Sequence, residues 1–319
     1  MPRPVVSPKS ELHGVLVIDK PAGMTSHDVV ARVRRAAGQR SVGHAGTLDP
    51  MASGVLVVLL GEATKLTPWV TADDKTYRCT VQLGVETTSG DADGEVTTTV
   101  PLAPELRDAL ERASRGEAAP DVARALETER TRIAQVPPSI SAIHVNGERA
   151  YERVRRGEVV VLDPRVVAVH ALDASTFDAA QGCITCTLHV SKGYYVRAFA
   201  RDFAAQLGTV AHLTVLRRLA SGAFPIDDAL ALEGLSRDAV EGRLLPCNVA
   251  AARVLPTLNL AANDVVRARQ GKRFPWPEGL GDGPHAWLDD AGMLVAVGEA
   301  REGLACVTRG FFASPPQSG

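Results

Sequence analysis

The chain has 319 residues, of which 45% are hydrophobic and 23% charged, with a net charge of −2. That composition belongs to a folded protein long enough for about two domains and excludes a disordered or fibrous chain. No stretch approaches the roughly 20 apolar residues of a membrane helix, and the N-terminal MPRPVVSPKSELHG carries no apolar signal core, so a cytoplasmic location without membrane contact is expected.

In chain order, residues 13–20 (HGVLVIDK) read as a short strand, with PAG as the turn after it. A helix follows, with Thr25 and Ser26 as capping types, Asp28 in the first turn, an apolar stripe of Val29, Val30 and Val33, and Gly38 as its stop. Arg32, Arg34 and Arg35 then face outward. The glycine-rich SVGHAGTLDPMASG (41–54) reads as a loop that opens into the strand VLVVLL. Residues 75–84 alternate as a strand, 89–95 form a turn-rich loop, and 104–134 read as two charged helices broken between Arg115 and Pro120. Next come a Pro-Pro stop, a short strand, a turn at Asn146-Gly147 and a helix ending at Gly157. Strands at 159–172 and 183–191 lead to a loop, SKGYY, and an amphipathic helix stopped by Gly208. Many strands with few helices predict an α+β fold on a mixed, mostly antiparallel sheet flanked by helices.

The composition shifts near residue 250, which divides the chain into expected domains at 1–250 and 251–319. The tail carries a hairpin turned at Asp289-Asp290-Ala291-Gly292 and a last strand at CVTRGFF, and so reads as a small β module. Five cysteines, an odd number in a long chain, do not read as a disulfide framework. Cys183 and Cys186 form a C-x-x-C, but within a strand they fall on opposite faces, so no metal or redox site is expected there.

Net charge alone does not suggest nucleic acid, but the distribution of charge does. Basic residues gather at Arg32, Arg34, Arg35 and Arg40, at Arg149, Arg153, Arg155 and Arg156, at Arg217-Arg218, and at Arg267, Arg269, Lys272 and Arg273. The most conspicuous acid is Asp49, in a loop so poor in side chains that another chain could approach its backbone. Pro50 biases Asp49 away from the helical region. On its own, Leu-Asp-Pro is ordinary turn punctuation.

The run GHAGTLDPMASGVLVV resembles the active-site signature of the bacterial tRNA pseudouridine synthase B family. Three further stretches agree in order: HGVLVIDKPAGMTSHDVV with the family's K-P-x-G-x-T-S segment, KTYR (75–78) with its tyrosine segment, and SKGYYVR with the following VLRRLASGAF. The likeness covers residues 12–235 and implies the pseudouridine synthase fold. It also implies Asp49 as nucleophile, Tyr77 stacked on the target base and handling the proton at C5, and Arg197 paired with Asp49. Tyr195 and Leu216 are implied as pocket walls, His44 as the group that fills the place of the flipped base, and Lys20 with Pro21 as support beneath the nucleophile loop, with Lys20 counted among the substrate-binding residues. The implied reaction isomerises uridine at position 55 in the T-loop of tRNA, by base flipping and without cofactor or metal. The implied partner is the T-arm stem-loop, met by a monomer with no obligatory protein partner.

The chemistry suits these residue types. Breaking the N–C1′ bond, rotating the base and rejoining it through C5 needs a carboxylate and stacking surfaces, and no outside group. The chain departs from the family where Ile140 stands for a usual tyrosine and His144 for a usual lysine, which puts an RNA contact in doubt. The tail resembles the family's small PUA-type RNA-binding barrel. A catalytically inactive RNA-binding or tRNA-folding scaffold of the same fold would share the basic clusters and the tail. A hydrolase using Asp49 would need a second acid, but Asp73-Asp74 and Asp289-Asp290 look like turn residues without convergent partners.

Overall fold

The computed structural model describes residues 11–140 and 162–311, together with 144–145, 148–149, 153, 156, 158 and 160 between them. Asn146-Gly147, most of the helix expected before Gly157 and the first ten residues lie outside the described set. The described Glu148 and Arg149 are strand and not helix.

The first half supplies β1 (Gly14–Lys20), α1 (Ser26–Ala37), β2 (Val42–Ala45), β3 (Ser53–Leu60) and α2 (Thr67–Ala72). These are followed by β4 (Lys75–Leu83), β5 (Val85–Thr87), β6 (Val96–Thr99), α3 (Pro104–Ser114) and α4 (Pro120–Arg130). Then come β7 (Ala134–Gln135), β8 (His144–Val145), β9 (Glu148–Arg149), β10 (Arg165–Val166), β11 (Val169–Asp178), β12 (Cys183–Val190), α5 (Val196–Gln206) and β13 (Ala211–Ser221). The strand β2 falls inside a segment whose glycines read as loop. It forms because Val42 to Ala45 pair antiparallel with Leu60 to Val57.

Helix α1 starts as its sequence predicts. Thr25 and Asp28 form a reciprocal capping box, Gly38 closes the helix at φ 68°, and Val29, Val30 and Val33 are buried while Arg32, Arg34 and Arg35 stay exposed.

Among the described residues the main sheet has ten strands: its path runs β11-β12-β4-β13-β3-β1-β15, where β15 is Leu230–Ala231, and β2 and the short β14 (Phe224–Pro225) and β16 (Leu245–Pro246) pair off that path. Only β13 with β3 and β1 with β15 pair in parallel; every other neighbour along that path is antiparallel. The expected mixed, mostly antiparallel sheet is therefore present. At its centre β1 and β3 are covered on both faces: Val15, Val17, Val55 and Val57 pack to one side, Leu16, Ile18, Leu56 and Val58 to the other. This double burial explains their unbroken apolar runs. A second core lies between β4, β12 and β13 and the helices α3, α4 and α5. Cys186 is buried there opposite Cys79, while Cys183 lies on the other face.

The C-terminal part is a five-stranded sheet in the order β17-β19-β20-β21-β18, formed by Thr257–Asn259, His285–Leu288, Leu294–Arg301, Leu304–Gly310 and Phe274–Pro275. It packs around Trp287, Phe274, Val265 and Leu260 as a PUA-like module. The hairpin turned at Asp289-Gly292 is present. The expected boundary at 250/251 falls inside a helix, Cys247–Val254. Ala250, Ala251, Ala286, Leu294 and Phe311 share one apolar cluster with β1 and β3, so the module packs directly against the main sheet. No helix among the described residues is long and apolar enough to cross a membrane.

Candidate active site

The face of β4 that buries Cys79, Val81 and Leu83 runs out of covering helix at its N-terminal end, so Lys75 and Tyr77, which continue the same face, line a cleft instead. The cleft measures about 810 Å³ and is also lined by Gly46 to Asp49, Arg165, Val166, Ser191 to Arg197, Leu216 and Arg218. That size suits a single group of small-molecule dimensions.

Asp49 sits in the loop between β2 and β3, and several elements hold that loop by its backbone. The buried Ser26 hydroxyl accepts the Leu48 N–H at 2.9 Å and donates to the Leu48 carbonyl at 3.2 Å. Lys20, fully buried, donates to the carbonyls of Pro21 (3.0 Å), Met24 (2.6 Å) and Pro50 (3.2 Å). Burial pushes its ammonium down to about 8, and nearby Asp49 only partly offsets this. Lys20 thus supports the loop, as expected, but does not line the cleft as a substrate contact would: its three donors are already used on carbonyls.

Arg218 holds the loop from the opposite side. Its guanidinium is 1% exposed and donates to Val55 O at 2.7 Å, Gly46 O at 3.0 Å and Thr47 O at 3.4 Å. Arg217 pairs with Asp19 at 2.7 Å. Arg218 is thus committed to the loop although it also reaches the cleft wall, while Arg217, half-buried, is committed to Asp19. Their strand crosses close to β3: a Cβ on Gly54, at φ 101°, would lie 2.2 Å from Arg218 O.

The Asp49 carboxylate, 37% exposed, meets Arg197 Nε at 2.9 Å through Oδ2. Arg197 itself is 6% exposed, stands at the second position of α5, and donates to Ser89 O at 2.9 Å. A second buried carboxylate, Asp91, lies 3.6 Å from the same Nε. Its loop is stapled to β13 by the Leu213 N–H to Gly90 O bond. The Arg197 guanidinium thus stands among two carboxylates and a carbonyl, closer to Asp49 than to Asp91. Asp91 escaped the sequence reading because SGDADGE carries only turn chemistry.

Tyr77, Tyr195 and Leu216 all line the cleft, so the structure gathers Asp49, Tyr77, Tyr195, Arg197 and Leu216 into one place. His44 is not on its wall. It lies on β2 with its ring edge-on to His27 at 5.4 Å, its Nδ1 is buried with no hydrogen-bond partner among the described residues, and burial together with His27 pulls its basicity down. Lys75, the first residue of KTYR, is buried, donates to Thr71 O at 2.9 Å, and is lowered to about 8 by burial. Tyr194 also lines the cleft, and burial pushes its phenol up.

Of the charged lining residues, Lys75, Arg165, Lys192, Arg197 and Arg218 are basic and only Asp49 is acidic. A chain of net charge −2 thus presents a cationic cleft. Exposed Arg32, Arg35, Arg267, Arg269, Lys272 and Arg273 extend the basic surface. Ile140 is half-buried, while the side chain of His144 lies outside the described set. Asp74 does have a partner, His170 Nε2 at 3.0 Å, and Asp289 has Arg269 at 3.4 Å, so neither aspartate pair is purely turn chemistry as expected. Neither lines the cleft. No group of three or more His, Cys, Asp or Glu among the described residues could hold a metal ion.

Residues 34–196 match the TruB family pseudouridylate synthase (N terminal domain). The chain is 42% identical to tRNA pseudouridine synthase B of Thermobifida fusca over 296 residues, 91% of this chain and 95% of the relative. It is 45% identical to tRNA pseudouridine synthase B of Cutibacterium acnes over 263 residues, 82% and 85% of the two chains. Among solved structures, a chain from an H/ACA RNP bound to a substrate RNA containing 2′-deoxyuridine superposes with a TM-score of 0.67. The superposition covers 94% of this chain and 86% of the other at 20% identity, a likeness of fold.

Proposed function

From the membership of this chain in the TruB family of pseudouridylate synthases, we propose that it isomerises the T-loop uridine of tRNA to pseudouridine with Asp49 as nucleophile. The observation that carries the reading is the Asp49–Arg197 pair at 2.9 Å in a cleft whose walls are Tyr77, Tyr195 and Leu216.

With Oδ2 held by Arg197, Oδ1 is the oxygen placed to act on the ribose. It attacks C1′ or assists removal of the C2′ proton as the N1–C1′ bond breaks, and the uracil departs with its electron pair delocalised over the two carbonyls. The base turns, C5 bonds to C1′ as Asp49 is released or, in the second route, as the proton returns to C2′; the C5 proton passes to solvent through the Tyr77 side of the cleft and N1 takes up a proton in its place. Atoms and electrons balance without an oxidant, a reductant or a transferred group. Extruding the base costs a few kcal/mol. Stacking on an aromatic side chain contributes about 1–3 kcal/mol per base, so Tyr77 and Tyr195 can offset that cost. The T-arm is met by the cationic cleft in a monomer. The PUA-like module from about residue 251, with Arg267, Arg269, Lys272 and Arg273 exposed, holds a more distant part of the tRNA.

The test is tritium release from C5-labelled uridine in a T-arm stem-loop, in EDTA, by wild type and by Asp49→Asn. Release by the wild type alone is expected. Release by the variant at the wild-type rate would remove Asp49 as nucleophile, and release by neither, with binding intact, would favour a tRNA-binding scaffold.

A further inference from the structure

Helix α5 begins without a side-chain cap: Tyr195 occupies the capping position in extended conformation, φ −110° and ψ 113°. In an extended residue the N–H and C=O point to the same side, where a strand neighbour would normally meet them. At Tyr195 that neighbour is one side chain. Gln135 accepts the Tyr195 N–H through Oε1 at 2.9 Å and donates Nε2–H to the Tyr195 carbonyl at 3.1 Å. Gln135 is 2% exposed, so neither bond is exchanged with water at little cost. The same segment is tied again one residue on, where Arg201 donates to Val136 O at 2.9 Å.

The backbone of Gln135 is engaged as well. It pairs with Arg165 on β10, and both Arg165 and Val166 line the cleft. One residue therefore joins two walls of the site: the β7-β10 ribbon through its main chain, and the Tyr195–Arg197 segment through its amide.

We propose that Gln135 is a positioning residue for the reaction, setting the backbone of Tyr195 so that the Tyr195 ring and the Arg197 guanidinium reach the target nucleoside and Asp49 together. This rests on the functional reading above. A small rotation at Tyr195 moves both groups, because Arg197 Nε has Asp49 at 2.9 Å and Asp91 at 3.6 Å and can change its balance between them. A misplacement of about 1 Å near reacting groups costs on the order of 100-fold in rate.

The test is single-turnover tritium release from the labelled T-arm stem-loop by full-length wild type, Gln135→Leu and Gln135→Glu, alongside RNA binding. For Gln135→Leu, which keeps bulk and loses both bonds, the expected result is a rate lower by about tenfold to 100-fold with RNA affinity within about threefold. Gln135→Glu separates positioning from packing. Its carboxylate offers two acceptors to one N–H and repels the Tyr195 carbonyl, whereas its protonated carboxyl offers one donor and one acceptor, as the amide does. Its rate relative to wild type should rise as pH falls from about 8 to about 6. Rates within about threefold of wild type in both variants would overturn the proposal, as would loss of rate and affinity by one common factor. If Gln135→Leu does not fold, a pH-independent ratio for Gln135→Glu overturns it. Absence of release by wild type would refute the functional reading itself, not this assignment.

Discussion

Replacing Arg218 by methionine tests whether the loop that carries Asp49 depends on a buried cation donating to its backbone. Two of its hydrogen bonds are short, 2.7 Å to Val55 O and 3.0 Å to Gly46 O, and the third, to Thr47 O, is long at 3.4 Å. Bonds from a charged donor contribute about 1.5–3 kcal/mol each, so the two short ones hold about 3–6 kcal/mol. Against this, no carboxylate among the described residues forms an ion pair with the guanidinium, and burying it costs several kcal/mol that methionine relieves. The two effects largely cancel. Folding stability should fall by about 0–3 kcal/mol and the melting temperature by only a few degrees. Chemistry has no such compensation, because the loop that carries Asp49 loses its anchor at Gly46 and Thr47, and a shift of about 1 Å there costs on the order of 100-fold. Single-turnover tritium release and thermal melting, measured on the same preparation, separate the two effects. A folded Arg218→Met protein turning over within threefold of wild type would refute the reasoning.

Four further outcomes are expected. Tyr77→Phe should slow the chemical step more than it weakens RNA binding, checked by single-turnover rate against filter binding; equal losses would reduce Tyr77 to a stacking surface. Gly54→Ala forces a Cβ to within 2.2 Å of Arg218 O at φ 101° and should destabilise the fold by about 2–6 kcal/mol in urea titration; a neutral result would mean that β3 and β13 can separate. Lys75, lowered by burial to about 8, sheds its proton in the folded state while the unfolded chain still holds it, so between pH 8 and about 10.4 it makes stability rise with pH. Lys75→Met should therefore gain less stability than wild type between pH 7.5 and 9.5, and parallel curves would contradict the assignment. Binding of the T-arm should weaken steeply with salt as phosphate counterions are displaced, and a flat response would remove the basic surface as a footprint.

Much of the site could be read from the chain because its chemistry is concentrated in short segments. The displayed Leu-Asp-Pro turn, the tyrosine of KTYR and the arginine of SKGYYVR each lie within a few residues that signal both element and exposure, and all three groups line the cleft. The cap of α1, the doubly buried β1 and β3 and the C-terminal hairpin were equally local, each set by spacing, capping type or turn residues within one element.

Other assignments depended on what the sheet order brings together. Arg217 and Arg218 are adjacent basic residues, and nothing in their sequence distinguishes a surface pair from one turned inward; the parallel pairing of β13 with β3 puts Arg218 under the nucleophile loop. Lys20, Asp91 and Gln135 likewise gain their roles from partners far along the chain, at Pro50, Arg197 and Tyr195. The residues alone determined which groups could do the chemistry, since reactivity, turn preference and helix capping are local properties. The tertiary structure decided which cations stay exposed and which hold the loop, because a buried charge is placed by hydrogen bonds that only the packed sheet can supply.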